Sequence, residues 1–335
     1  MFVLLVVAAG CASTKITNRE QLVTGQLPRP AHVWVYDFAA TPADVQADSA
    51  LAGQYSKNVS QTAEQIATGR KLGTLIATEL VKSGDADAVV SPGNTGASMV
   101  SAFFVLGLIK GVERPAIATM LPTLTGSAVM LDVGANVDCT AQHLEQFALM
   151  GNEFAKHVYA KPNPRVGLLS IGEEDSKGNE VTKEAFKLLR ASPLNFIGNI
   201  EGREVYSGSA DVVVCDGFIG NVALKISEGV ADVIKKLLMK ELSGSWLGRL
   251  AYPLIAKPLL NLKRKIDYAE FGGAPLLGVN GTTMICHGRS SAKAIKNAIR
   301  RAKGLAETRL DELIQRDIEE SLRRHQDERP EGKQA

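Results

Sequence analysis

Cysteine is scarce in this 335-residue chain: Cys11, Cys139, Cys215 and Cys286 form no C-x-x-C pair and no Cys/His group with zinc-ligand spacing. That spacing argues against a disulfide framework and a structural zinc site, and it fits a reducing, cytoplasmic compartment. Aromatic residues are only 5%, and no basic patch is interleaved with them, so stacking on single-stranded nucleic acid has no platform. Formal net charge is +2, which offers no bulk field for nucleic acid. No turn matches G-x-x-x-x-G-K-[ST], and no G-x-G-x-x-G follows a strand, so nucleotide cofactors lack support. Neither G-x-S-x-G nor a Ser/His/Asp pattern is present. No cofactor and no metal is expected.

Long hydrophobic runs are missing too. The apolar stretch at residues 2–10 is too short to span a bilayer. It ends Ala8-Ala9-Gly10-Cys11, the small-residue pattern of a lipoprotein signal, without the usual positive n-region. Two readings stand side by side: an export signal that anchors the chain through Cys11, and a buried apolar terminus. Residues 237–265 mix Trp246, Leu247, Leu250, Leu254 and Ile255 with lysine, arginine and two prolines, which also argues against a membrane span. This segment reads either as an interfacial amphipathic stretch that touches a membrane surface or as a helical hairpin packed on a second subunit.

What the chain does have is 45% hydrophobic and 22% charged residues, enough to bury a large core in one domain or two. Short apolar strands are expected at residues 32–40, 86–90, 117–121, 128–133, 166–171, 196–200, 211–215 and 282–286. Helices are expected at 61–82, 97–109, 143–159, 180–189, 221–242 and 292–307, followed by a charged helix beyond 311 and a polar tail from 323. Strands alternating with helices imply crossover connections and a mostly parallel sheet covered on both faces.

Ligands of open α/β sheets bind at the carboxyl ends of strands. Four strand ends here share one grammar of small and polar residues. They are SPGNTG with Gly93, Asn94 and Thr95; DVGAN with Asp132, Gly134 and Asn136; SIGEEDSKGNE with Lys177, Asn179 and Glu180; and DGFIGNVALK with Gly220, Asn221 and Lys225. Glycine-rich turns that open helices expose backbone N–H groups beside the positive helix end, which suits a small anion such as phosphate. Their repetition predicts that several strand ends converge on one pocket. Cys139 and Cys215 lie at strand ends, where a nucleophile would be useful, but each reads better as a small buried residue.

These motifs carry a family resemblance. ADAVVSPGNTGASM, LDVGANVDCTAQHLEQFALMG, VGLLSIGEEDSKGNEVTKEAF, ADVVVCDGFIGNVALK and EFGGAPLLGVNG resemble the bacterial phosphate acyltransferases of phospholipid synthesis, from about residue 80 to 303. The resemblance implies a three-layer α/β/α fold related to the isocitrate and isopropylmalate dehydrogenases, and a homodimer. It also implies transfer of the acyl group of a long-chain acyl-carrier protein to inorganic phosphate. Asn136, Lys177, Asn179 and Glu180 are then the expected catalytic group. Gly93, Asn94, Thr95, Asp132, Gly134, Gly220, Asn221 and Lys225 would position phosphate and substrate. Arg289, Lys293, Lys296, Arg300 and Arg301, on a basic helix, are expected to dock the acidic carrier. The segment containing Trp246 and Leu247 would touch the inner membrane beside the downstream glycerol-3-phosphate acyltransferase. The family's opening strand and Gly-Gly-Asp turn are absent. The implied divisions are a signal at 1–11, a non-family segment at 12–80, the transferase domain at 81–310 and a charged helix and tail at 311–335. A lipid-anchored chain whose transferase-like part is a non-catalytic scaffold is the alternative.

Overall fold

The computed structural model describes residues 4–8, 35–37, 63–93, 95–247, 252, 254–260, 272–288 and 290–327, with side chains described within residues 73–324. Among the described residues ten strands form one sheet: β1 (Leu4–Ala8), β2 (Val35–Asp37), β3 (Ala88–Ser91), β4 (Ala116–Thr123), β5 (Gly126–Leu131), β6 (Arg165–Leu169), β7 (Asn195–Ile200), β8 (Val212–Val214), β9 (Ala274–Leu277) and β10 (Thr282–Ile285). Their order is β2-β1-β3-β10-β9-β4-β5-β8-β6-β7. Neighbours pair in parallel except at the centre, where β9 runs antiparallel to β10 and β4, and β4 forms an antiparallel hairpin with β5. Following these pairings, β5 to β9 all run opposite to the other five strands.

The side-chain period of two explains why both faces are covered. Along the hairpin, Ala116, Ala118, Val129 and Leu131 enter one core, while Ile117, Leu121, Ala128 and Met130 enter the other. The first core packs under α3 (Ala141–Tyr159), α4 (Glu180–Ala191), α6 (Ala292–Thr308) and α7 (Leu310–Asp327). Phe147 and Leu144 of α3 are buried there. In α6, Ala294, Ala298 and Ala302 recur at i, i+4, and their small side chains let the helix approach β3 and β10 closely. The second core lies under the end of α1 (Ala63–Lys82), under α2 (Thr95–Ser101) with its π-helical continuation Ala102–Leu106, and under the first turns of α5 (Gly217–Gly244). This is the expected α/β/α layering.

Caps set the helix starts. Thr140 and His143 form a reciprocal capping box on α3, while the side chains of Asn179, Asp216 and Ser291 accept the first free N–H groups of α4, α5 and α6. The Asp216 cap starts α5 four residues before the expected start at 221. β9 is not among the expected strands, because Gly272, Gly273 and Gly278 hide its short apolar run. Residues 4–8, for which an export signal and a buried apolar terminus are both expected readings, form an interior strand paired on both sides, between β2 and β3. Cys11 lies outside the described residues.

Candidate functional site

Asp132, one residue beyond β5, is 0% exposed and is the hub of the site. Its Oδ1 accepts the N–H groups of Ile117 at 3.0 Å, Gly134 at 3.1 Å and Ala135 at 3.0 Å. Its Oδ2 accepts the N–H of Asn136 at 2.7 Å and the Asn136 side-chain amide at 2.9 Å. The remaining amide hydrogen of Asn136 goes to the Pro115 carbonyl at 2.7 Å. Burial pushes the Asp132 carboxyl above its ordinary value, and the hydrogen bonds from Ala135, Ile117 and Asn136 offset part of that rise. The N–H groups of the turn therefore point inward at Asp132. Asp132 and Asn136 hold the turn in shape, and neither is placed as a donor aimed at a ligand. A short polar residue followed four positions later by Asn was the available sequence signal, since such side chains bond their own downstream backbone.

The second turn docks on the first. Cys215 donates its N–H to the Leu131 carbonyl at 2.6 Å, Asp132 donates to the Cys215 carbonyl at 2.9 Å, and Gly217 donates to the Asn136 carbonyl at 2.8 Å. Both glycines opening α5 are sites of close approach. A Cβ on Gly217 would lie 2.4 Å from the Asn136 carbonyl oxygen, and one on Gly220 would lie 1.9 Å from that of Asp132. Gly134 has φ +135, and a Cβ there would meet the Asn221 side chain at 3.6 Å, so Asn221 lies over the turn. Lys225, one turn further along α5, is exposed and pairs with Glu228 at 2.9 Å.

The third turn, residues 170–179, leaves β6, which pairs with β8 up to Leu168 and Val214 and so delivers the loop beside α5. Asn179 spends its side-chain oxygen on the Thr182 N–H at 2.9 Å as the cap of α4. Glu180 and Lys177 are exposed, and among the described residues Lys177 has no carboxylate partner.

The fourth turn belongs to the half of the sheet that runs the other way. Ser91 accepts the N–H of Cys286 at 2.9 Å, Ser98 bonds the Ser91 hydroxyl at 2.9 Å, Gly93 is half-buried and Thr95 exposed, while Asn94 lies outside the described residues. Hydrogen bonds and strand pairing thus join three of the four turns.

Burial disfavours the thiolate form of both Cys139 and Cys215. Burial pushes Cys139 up to about 11 and Cys215 well above its ordinary value, and the Cys215 thiol lies 3.4 Å from the Asp132 carbonyl oxygen. Among the described residues no group of three or more His, Cys, Asp or Glu side chains is arranged to hold a metal. On α6, Lys293, Lys296 and Arg300 are exposed, whereas Arg301 donates to the Tyr159 hydroxyl and lies 5.8 Å from that ring's centre. Arg289 and Leu250 fall outside the described residues. Trp246 is 72% and Leu254 82% exposed, Leu247 is exposed and Ile255 half-buried. Among the described residues no helix is long and apolar enough to cross a membrane.

Residues 48–313 match the model of a family described as fatty acid synthesis protein. The chain is 54% identical over 242 residues to the phosphate acyltransferase of Thermodesulfovibrio yellowstonii, covering 71% of this chain and 70% of the relative. The chain belongs to this family. It is 58% identical over 225 residues to the phosphate acyltransferase of Citrifermentans bemidjiense, covering 67% of this chain but only 64% of that relative's length. The family match starts at residue 48, ahead of α1, where the resemblance had been drawn from about residue 80. Among solved structures, the EutD phosphotransacetylase from Staphylococcus aureus aligns with a TM-score of 0.46 at 16% identity, covering 84% of this chain and 79% of that one.

Proposed function

We propose that this chain transfers the acyl group of a long-chain acyl-carrier protein to inorganic phosphate, supplying acyl phosphate for phospholipid synthesis. A phosphate oxygen attacks the thioester carbon, the carbonyl oxygen takes up negative charge in the tetrahedral intermediate, and the carbon–sulfur bond breaks. The products are acyl phosphate and the carrier thiolate, which is then protonated. The observation that carries the reading is family membership over residues 48–313, a span that contains the three joined turns.

Charge makes the roles more specific. Phosphate needs donors that Asp132 has not already taken. The amino end of α5 supplies a partial positive charge, with Asn221 over Gly134 and Lys225 one turn along. Lys177, exposed and without a carboxylate partner among the described residues, is the cation proposed to follow the developing oxyanion, a contribution of roughly 10²–10³-fold for one well-placed donor. Asn136 acts by holding the Asp132 turn, Asn179 by setting the start of α4, and Glu180 sits at the rim.

Lys293, Lys296 and Arg300 on α6 form the basic face proposed to dock the acidic carrier, where charge complementarity chiefly accelerates encounter. Along α5, only Gly217 and Gly220 are buried, and Phe218, Ile226, Val230, Val233, Ile234 and Leu237 are each more than half exposed. This apolar face is proposed to be covered by a second copy of the chain, with Trp246, Leu247 and Leu254 at the membrane surface. Purified chain supplied with long-chain acyl-carrier protein and phosphate is expected to release carrier thiol and form a hydroxylamine-trappable acyl phosphate. Release that does not depend on phosphate would refute the proposal.

A further inference from the structure

Asn199 occupies an unusual position for a polar side chain. It lies in β7 opposite Leu168 of β6, on the face covered by α4, and is 6% exposed. Its side-chain amide donates to the Glu174 carbonyl at 2.9 Å, whereas its Oδ1 is buried with no partner, as is the Ser170 hydroxyl oxygen at the root of the same loop. An orphaned buried acceptor is costly, and leucine would fill a strand position facing an apolar core without that cost, so retaining Asn calls for a reason.

The Glu174 carbonyl supplies one. It also accepts the Lys177 N–H at 2.9 Å, so a single oxygen ties the Lys177 turn to the buried strand. The turn folds tightly over Gly172, where a Cβ would meet the Lys177 Cγ and the Glu174 carboxylate oxygen, each at 2.9 Å. Two further straps, Arg203 to Glu173 at 2.7 Å and Arg190 to Asp175 at 3.8 Å, are solvent-exposed on both sides and hold little in salt. The buried bond is therefore the one that fixes where Lys177 projects.

We infer that Asn199 is a positioning residue for acyl transfer, holding the Glu174–Lys177 turn so that the Lys177 ammonium meets the reacting group. The inference rests on the role proposed above for Lys177. Asn199→Leu removes the donor and the orphaned acceptor together, so global stability changes little. Turnover at saturating acyl carrier is expected to fall roughly tenfold or more through misplacement of Lys177, with KM little changed. In the Lys177→Ala background the same substitution has no further effect, because the two act through one group. Amide exchange at Lys177 should rise about tenfold in Asn199→Leu while exchange in α4 stays as in the parent. Asn199→Thr, which suits a strand but is too short to reach Glu174, repeats all three measurements if the leucine variant fails to fold.

Wild-type turnover in a folded Asn199 variant when Lys177→Ala is slow, or independent losses in the double variant, would overturn the inference. Unchanged exchange at Lys177 overturns it even in a protein without activity. An inactive parent, or a Lys177→Ala variant at full rate, counts instead against the proposed reaction or the role of Lys177, and amide exchange then decides the positioning claim alone.

Discussion

Gly220→Ala probes the contact on which the site is built. The added Cβ would lie 1.9 Å from the Asp132 carbonyl oxygen, 2.9 Å from the Cys215 sulfur and 3.0 Å from the Asp132 carbonyl carbon. A carbon and a carbonyl oxygen approach no closer than about 3.3 Å, so the start of α5 must lift by roughly 1 Å or more. Two of these atoms are backbone, and the third, the Cys215 sulfur, belongs to a short, buried side chain with little room to swing away. Overpacking of this kind costs about 1–3 kcal/mol, partly offset by up to about 1 kcal/mol of helix propensity, for a net loss of about 1–2 kcal/mol. Activity is expected to suffer more, because the lift carries Asn221 away from Gly134, and a displacement near 1 Å is worth up to about 10² in rate. Gly229→Ala is the internal control: it lies in the same helix with nothing within 4 Å of the added Cβ, and should be neutral or stabilising by up to about 1 kcal/mol. Urea unfolding gives the stability, and release of carrier thiol gives the rate. Gly220→Ala matching both parent values while folded would refute the close-approach argument.

Asp132→Asn exchanges an acceptor oxygen for an amine that faces backbone donors, and is expected to cost about 3 kcal/mol or more at neutral pH by urea unfolding; a loss under 1 kcal/mol would mean that the carboxylate is not the hub. Asp211 is buried, which alone would raise its carboxyl, but hydrogen bonds from Arg165 and Lys161 hold it down to about 2. A lowered folded value stabilises above the unfolded value near 3.8 and the effect fades as pH falls to 2, so Asp211→Asn should cost about 2 kcal/mol at pH 7 and almost nothing at pH 2; a pH-independent difference contradicts the assignment. Asp317 shows the opposite sign: burial and then its neighbour Glu153 push it up to about 6. Its contribution is present below pH 3.8 and lost as pH rises through 6, so Asp317→Asn should be more stable than the parent at pH 8 and lose that advantage near pH 4, and equal stability at both pH values argues against the pairing.

Much of the architecture was legible because period-2 apolar strands and period-3.6 helices alternate from residue 86 onward. The antiparallel centre was not, since β4 and β5 read simply as two strands and nothing local in β9 sets its direction. For residues 4–8 the composition leaves a buried strand and a short export segment equally open, because the two share it. At the site, residue types single out the turns but say nothing of their internal bonding. Whether the N–H groups of Gly134, Ala135 and Asn136 face a ligand or Asp132 depends on the burial of one carboxylate, which is a tertiary fact. Asn199 escaped notice for the same reason: its importance lies in reaching Glu174, which is distant in sequence. Arg301 looked equivalent to Arg300 until Tyr159, from another helix, claimed it.

Incubation with isotopically labelled phosphate and long-chain acyl-carrier protein tests the central claim most directly. The account predicts label in an acyl phosphate, one equivalent for each carrier thiol released, with Lys177→Ala lowering the rate by roughly 10²-fold. Thiol release without label in the acyl product, or no release above the heat-inactivated protein, would contradict it.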